Sequence, residues 1–350
     1  MWLQMVKPTV ISTFSGCGGS SLGYQMAGFH ELLAVESDQN AVDTFRLNFP
    51  DVPVYHGDIA KLTGSECMRL ARIENGDLDV LDGSPPCQGF STAGKRKFDD
   101  PRNSLFKEYA RLLSELQPKV FVMENVTGMV KGYMKQAYLQ IIKTLRECGY
   151  KAKGEVMNAM YYNVPQSRER VIIIGVREDL GIEPSHPKPQ GKPITVRQAL
   201  VGINNEQYEL DWCNHIQQSI IYPRICKMKP GDNYADYSPT GSGFTLSKNW
   251  IDRPSCTITK TVNHAASSDG TLHPLENRKH TITEIKRLSS FPDNFQTVGD
   301  FRERWARIGN SVPPNLMKAI AEHINVGILQ RMKDAFPELE IKNCNTETNL

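Results

Sequence analysis

Several features that would point directly to a chemistry are missing from this sequence. Its eight cysteines are scattered from Cys17 to Cys344, with no CxxC pair and no Cys/His cluster at zinc-ligand spacing, so no metal is expected. In a reducing compartment most such cysteines are small buried hydrophobes. No apolar stretch approaches the ~18 residues that a membrane span needs. The segment from Met1 to Pro8 lacks the basic start, apolar core and small-residue cleavage site of a signal peptide, and a cytoplasmic protein is expected. Repeats and low-complexity tracts are absent. Charge bias is slight, since a net charge of +2 neither demands nor excludes a nucleic-acid partner.

What is there is a chain of 350 residues, 39% apolar and 23% charged, enough for one large domain with a smaller one attached. Strand-like and helix-like segments alternate through the first half. Thr9–Phe14, Leu32–Val35, Leu78–Leu81, Val120–Met123 and Val171–Ile174 are apolar or β-branched. Between them Leu22–Ala27, Asn40–Asn48, Leu105–Leu116 and Gln136–Cys148 have helical spacing. That alternation predicts an α/β fold with a doubly wound, mostly parallel sheet, and the apolar stretch Val171–Val176 fits a strand covered on both faces. From about Leu180 the character changes. Pro184, Pro187, Pro189 and Pro193 mark a domain edge, and a stretch rich in Asn, Tyr, Ser, Thr and Gly follows. Residues 185–280 carry eleven Lys/Arg against eight Asp/Glu, so this part is the more basic. Thr281 or Thr283 could cap a helix to Leu288, and Pro313-Pro314 opens a last helix to about Leu329. The expected division is 1–180 catalytic and cofactor-binding, 181–280 target-recognising, 281–335 returning to the first domain, and 336–350 a polar tail.

The chemistry-bearing residues cluster where strands end. Phe14-Ser15-Gly16-Cys17-Gly18-Gly19 follows a strand and precedes a helix, where glycines let the backbone turn sharply against a nucleotide-like ligand. Glu36 ends the second strand, twenty residues after Gly16, placed to accept bonds from ribose hydroxyls, and Ser37 is next to it. Asp58 and Ile59 are placed for an adenine. Alone, this loop is as readily a tight turn as a ligand site; a nicotinamide site is also open, but the spacing is not GxGxxG, which tilts away from it. Gly83-Ser84-Pro85-Pro86-Cys87-Gln88 follows the third strand, and its prolines fix the direction of Cys87. Ser91 then leads to Lys95-Arg96-Lys97, a loop able to fold over a polyanion. Glu124-Asn125-Val126 follows the strand at Val120–Met123. Before the strand at Val171, Gln166, Arg168 and Arg170 alternate onto one side.

Together these segments resemble the DNA cytosine-5 methyltransferase family, in order and over nearly the whole chain. The later segments Arg253-Pro254-Ser255-Cys256-Thr257-Ile258-Thr259, Arg287 to Pro292, and Arg307-Ile308-Gly309-Asn310-Ser311-Val312-Pro313-Pro314 extend the match. Two places depart from it: Ser12 stands where many relatives are acidic, and Lys286-Arg287-Leu288-Ser289-Ser290 is worded differently.

The resemblance implies a class I S-adenosylmethionine-dependent methyltransferase fold, Rossmann-like, with a small irregular target-recognition domain inserted between Arg170 and Arg253. It implies Cys87 as nucleophile toward carbon 6 of a flipped-out cytosine, Glu124 as proton donor at N3, and Arg168 and Arg170 on O2. S-adenosyl-L-methionine would be held by Phe14, Ser15, Gly16, Cys17, Gly19, Glu36, Ser37, Asp58, Ile59, Pro86, Leu105, Asn310 and Ser311. Double-stranded DNA, as partner, would meet Gln88, Ser91, Lys95, Arg96, Lys97, Gln166, Arg224, Lys227, Lys229 and Lys260, and the small domain, Lys248 included, would read the major groove. A nucleoid-associated enzyme follows, paired with a cognate restriction endonuclease and needing no obligate protein partner. Rival readings are a tRNA methyltransferase on the same scaffold, a catalytically dead DNA-binding protein, and a nicotinamide oxidoreductase.

Overall fold

In the computed structural model, which describes residues 7–86, 104–131, 134–239, 241, 246–262 and 269–335, the alternating segments build one seven-stranded sheet. In chain order the elements of the first part are β1 (Thr9–Thr13), α1 (Gly19–Met26), β2 (His30–Glu36), α2 (Gln39–Asn48), β3 (Val54–His56), α3 (Gly64–Ala71), β4 (Val80–Gly83), α4 (Ser104–Leu116), β5 (Val120–Val126), α5 (Lys135–Glu147), β6 (Tyr150–Asn158) and β7 (Glu169–Arg177). The sheet order is β3-β2-β1-β4-β5-β7-β6. All neighbours are parallel except β7, which runs antiparallel to β5 and β6. Consequently the carboxyl ends of β1, β2, β4 and β5 and the start of β7 share one edge. The order reverses beside β1, where sheets of this type open a ligand crevice.

Two apolar layers hold the sheet. Ile11, Leu33, Leu81, Phe121, Met123 and Ile173 face α3, α4 and α5, while Val10, Val80, Val122, Ile172 and Ile174 face the other way. The second face is covered by α1 and by the end of the chain. After the small helices α6 (Val196–Ala199), α7 (Gln207–Asn214) and α8 (Tyr222–Ile225) and the short parallel pair β8 (Ser247–Lys248) and β9 (Thr271–Leu272), the chain returns through α9 (Ile282–Leu288), α10 (Phe301–Asn310), α11 (Pro314–Ile324) and α12 (Gln330–Ala335). Leu316, Met317, Ile320 and Ile324 of α11 seal that face. The stretch between β7 and α9 has only a small apolar cluster of its own, around Ile216, Ile225, Met228, Tyr234, Leu246 and Leu272. Others of its apolar side chains, among them Val196, Cys213 and Ile258, join the cluster of α9 and α10.

Some boundaries move from expectation. Glu124–Val126 is the end of β5, not a loop, because Glu124, Asn125 and Val126 pair with Ile172, Val171 and Arg170 of β7. Thr281, not Thr283, caps α9, receiving the Glu284 N–H in a capping box. The last helix is interrupted by a π turn over Asn325–Leu329 before α12. No helix among the described residues is long and apolar enough to cross a membrane.

Candidate active site

At the shared strand edge lies a cavity of about 680 Å³, within the range of ~300–1,000 Å³ typical of small-molecule sites. Its walls come from seven stretches of chain. They are Phe14–Cys17 with Gly19 and Ser20, Glu36 and Asp38, Ser84–Pro86, Glu124–Val126 with Arg168 and Arg170, Thr257 with Thr259 and Lys260, and Arg307 with Gly309–Val312. Thus segments nearly 300 residues apart in sequence meet on one ligand-sized space.

The loop after β1 is shaped by its backbone. Phe14, Gly16 and Gly18 all have positive φ (54°, 56° and 94°), a region that favours glycine. A Cβ at Gly16 would meet nothing within 4 Å, so the backbone lies open there. At Gly19 a Cβ would come within 2.4 Å of the Val312 carbonyl oxygen, so the returning chain can seat against the loop only if this residue is glycine. Glu36 fixes the loop: Gly16 N–H donates to Oε2 (2.8 Å), and Ser37 and Asp38 N–H donate to Oε1 (2.7 and 2.9 Å). Cys17 Sγ lies 3.1 Å from Ser311 Oγ and donates to the Arg307 carbonyl (3.4 Å). Asn310 and Ser311 line the same cavity. Ser37, Asp58, Ile59 and Leu105 do not line it. Asp58 caps a short turn by accepting from Ala60 N–H, Ile59 is buried in the core, and Leu105 packs against that core.

The opposite wall carries the ionic groups. Arg170 Nε donates to Glu124 Oε1 at 2.8 Å, both side chains being mostly buried, and Arg170 Nη1 donates to the Glu169 carbonyl (2.7 Å). Asn125 Nδ2 donates to the Pro85 carbonyl (2.9 Å), tying β5 to the segment that runs into residue 87. Arg168 departs from the role expected on O2. It is buried, with Nη1 on the Ile258 carbonyl (2.8 Å) and Nη2 on the Gly309 carbonyl (2.9 Å), so its guanidinium clamps two wall segments together. Burial, and then the repulsion of Arg170, hold its pKa below the ordinary arginine value.

Gln166 is corrected as a DNA contact. It is fully buried, donates to Ser289 Oγ (3.0 Å) and accepts from Ile258 N–H (3.1 Å), because the chain at Ser255 runs alongside it and covers it. Lys248 is likewise turned inward, with Nζ on Asn277 Oδ1 (2.7 Å) and the Met228 carbonyl (3.3 Å). Lys227 and Lys229 are exposed, Arg224 is half-buried with Nη1 on Tyr234 Oη (3.4 Å), and Lys260 is exposed at the cavity. Cys87, Gln88, Ser91, Lys95, Arg96 and Lys97 lie outside the described residues, as does the polar tail.

The sequence did not single out Asp38, Ser84, Pro85, Thr257, Thr259 or Arg307 as site residues, although all line the cavity. Thr257 and Thr259 lay in a quoted segment, and Asp38 two residues beyond Glu36 was within reach. Among the described cysteines, burial pushes the Cys17 thiol up to about 11 and the Cys67 thiol up to about 12, and it raises those of Cys213 and Cys256 too. None of these four is a thiolate near neutrality.

Residues 8–326 match the family model for C-5 cytosine-specific DNA methylase. The chain is 37% identical over 332 residues to the Type II methyltransferase M1.HphI of Haemophilus parahaemolyticus, covering 90% of this chain and 86% of that one. It is 33% identical to the Type II methyltransferase M.XorII of Xanthomonas oryzae, covering 91% and 85%. Among solved structures, one described as a prophage-encoded DNA modification methyltransferase (E. coli) superposes with a TM-score of 0.73 at 25% identity, over 93% of this chain and all of that one.

Proposed function

Because the chain belongs to the C-5 cytosine-specific DNA methylase family, we propose that it methylates carbon 5 of a cytosine turned out of double-stranded DNA, with Cys87 as the attacking thiolate. Membership makes it a DNA cytosine methyltransferase that uses S-adenosylmethionine. The observation that carries the finer reading is the convergence on one cavity of the open loop at Gly16, Glu36, the Pro85-Pro86 step into Cys87, and the Glu124–Arg170 pair.

Carbon 5 of cytosine is a weak nucleophile. A thiolate that bonds to carbon 6 shifts the electron pair of the C5–C6 double bond toward carbon 5 and makes it electron-rich. Cys87 supplies that thiolate. Glu124 holds a proton at N3, where charge develops as the sulfur–carbon bond forms, while Arg170 binds O2. Arg168 acts one step back, keeping the Ile258 and Gly309 wall in place. S-adenosylmethionine, when bound, supplies an electrophilic methyl carbon to carbon 5. Phe14–Cys17, Gly19, Glu36, Pro86, Asn310 and Ser311, which line the cavity, would hold it. The fit rests on an open backbone at Gly16 and a cavity of ligand size. Loss of the carbon 5 proton to water, with cleavage of the sulfur–carbon bond, returns the Cys87 thiolate.

Flipping the base costs a few kcal/mol, offset by phosphate contacts. Gln88, Ser91, Lys95, Arg96 and Lys97 would close on the DNA, and Arg224, Lys227, Lys229 and Lys260 would meet it from the basic stretch. As with its Type II relatives, the enzyme would serve beside a restriction endonuclease.

The test uses the full chain, saturating S-adenosylmethionine and randomised duplex DNA carrying 5-fluorocytosine, whose fluorine cannot leave as the proton does. A denaturant-stable protein–DNA adduct is expected, absent in Cys87→Ser, which still binds S-adenosylhomocysteine. No adduct in the wild type with both ligands bound overturns the covalent mechanism, and turnover by Cys87→Ser removes Cys87 from its role. Methylation of tRNA in place of DNA would favour the rival substrate.

A further inference from the structure

The cofactor cavity is closed along one seam by two segments far apart in the chain. On one side stand Gly16, Cys17, Glu36 and Asp38; on the other, Arg307 and Gly309–Val312. Inside the seam, Cys17 Sγ meets Ser311 Oγ and the Arg307 carbonyl. Outside it, the Arg307 guanidinium grips the Asp38 carboxylate with two nitrogens, Nη1 to Oδ1 at 3.0 Å and Nη2 to Oδ2 at 3.2 Å, across 269 residues of sequence. The Asp38 side chain is 48% exposed and that of Arg307 14%, which puts the pair at the solvent rim of the cavity. Arg307 is therefore the node of the seam: its carbonyl also accepts from Ser311 Oγ (2.7 Å).

Helix geometry favours both charges. Asp38 is the N-cap of α2 and accepts from Ala41 N–H, so its anion sits at a positive helix end. Arg307 is in the last turn of α10, so its cation sits at a negative one. The loop bearing Asp38 is the loop whose N–H groups Glu36 holds, so a pull on Asp38 is transmitted to the residue proposed to bind the ribose. The other arginines lining the cavity are otherwise engaged, Arg168 with two carbonyls and Arg170 with Glu124.

We propose that Arg307 and Asp38 are positioning residues that latch the returning chain onto the cofactor loop, so that this ion pair sets how tightly and how long the cofactor is held. The inference rests on the function proposed above. Binding of S-adenosylhomocysteine to the full chain without DNA, by calorimetry and stopped flow, tests it in Arg307→Gln, Asp38→Asn and the double variant. Asparagine keeps an oxygen for the Ala41 cap, so α2 retains its start. Each single change is expected to weaken binding about fivefold, the equivalent of one exposed ion pair, and to raise the dissociation rate in proportion. The double variant should be no weaker than either single one. KM for the cofactor should rise with kcat and the Kd for DNA unchanged, and added salt should weaken the wild type more than the double variant. A merely structural pair would instead lower the melting temperature and DNA affinity together. Additive losses in the double variant, or singles that bind like the wild type, overturn the latch alone. A wild type that binds no S-adenosylhomocysteine overturns both the latch and the function on which it rests.

Discussion

Asp82 is a buried carboxyl on β4, one strand from Ser12, its register partner on β1. Tyr24 Oη donates to it at 3.4 Å, and Glu31 on β2, itself bonded by Ser21 Oγ (2.9 Å), acts on it electrostatically. Burial, and then the nearby Glu31 charge, push Asp82 up to about 8; burial pushes Glu31 up to about 7. At these two carboxyls the folded chain binds more protons than the unfolded chain from about pH 4 upward, so their contribution to stability falls as pH rises through that window. Between about pH 7 and about pH 8 Asp82 is the larger acid contributor, since Glu31 is already about half ionised at pH 7, while the histidines with lowered pKa values, His186, His273 and His323, are mostly neutral in both states and work weakly the other way. Wild type should lose about 1 kcal/mol more unfolding free energy over that unit than Asp82→Asn, in which the Glu31 and histidine contributions remain. Urea titrations at the two pH values measure it; equal slopes in the two proteins would remove Asp82 as the source. The sequence marked Ser12 as unusual but gave no hint of its acidic neighbour, since pairing across strands is invisible to a linear motif. It failed at Gln166 and Lys248 for a related reason. Residue type suggests a surface contact, but which face a side chain turns to depends on what covers it, and here Ser255 and Asn277 do.

The helices and strands that could be read were those with one apolar face or a marked start. β1, β2, β4, β5 and β7 are interior to the sheet and apolar enough to stand out. The two missed, β3 and β6, are its edges. β6 carries Lys151, Lys153 and Glu155 among its apolar residues, as an edge facing water allows. α10 was missed despite a legible start, Asp300 with Glu303 three residues on, which form a capping box. The same device starts α9, where Thr281 receives the Glu284 N–H at 3.0 Å. There the cap is also the centre of a buried network. Glu284 accepts from Arg278 Nη2 (2.7 Å), His280 Nδ1 (2.7 Å) and Asn205 Nδ2 (2.9 Å), joining the stretch between β7 and α9 to the returning chain. Although burial pushes it up, His280 and Arg278 hold its carboxyl well below the usual range. Thr281→Ala, which removes a cap, should cost about 1 kcal/mol. Glu284→Gln, which leaves the buried Arg278 guanidinium with only the half-exposed Glu276 as carboxylate partner, should cost about 3 kcal/mol. Urea denaturation of the two variants checks the order; a Thr281 variant as damaged as the Glu284 one would mean that the cap, not the charge, holds this junction.

The first and last parts of the chain form one body, and the contact that joins them is close. α1, which follows the loop after β1, packs along α11, and a Cβ at Gly23 would come within 2.6 Å of Met317 Cβ and 2.7 Å of the Pro314 carbonyl oxygen. Backbone cannot yield as a flexible side chain can, so Gly23→Ala must push the two helices apart. α11 seals one face of the sheet with Leu316, Met317, Ile320 and Ile324. It also begins directly after the Asn310–Val312 segment that lines the cavity. Separation at Gly23 therefore has two consequences from one cause. The apolar layer loosens, at about 1–3 kcal/mol for overpacking of this kind, and the returning wall of the cavity moves with it. Melting temperature and S-adenosylhomocysteine affinity should fall together in Gly23→Ala, whereas Arg307→Gln should lower affinity alone. Calorimetry and thermal melts of the two variants side by side decide this. A Gly23→Ala protein with full stability would mean that α1 and α11 can slide apart at no cost, and the returning chain would then hold the cavity through the Cys17 and Arg307 seam rather than through its helix.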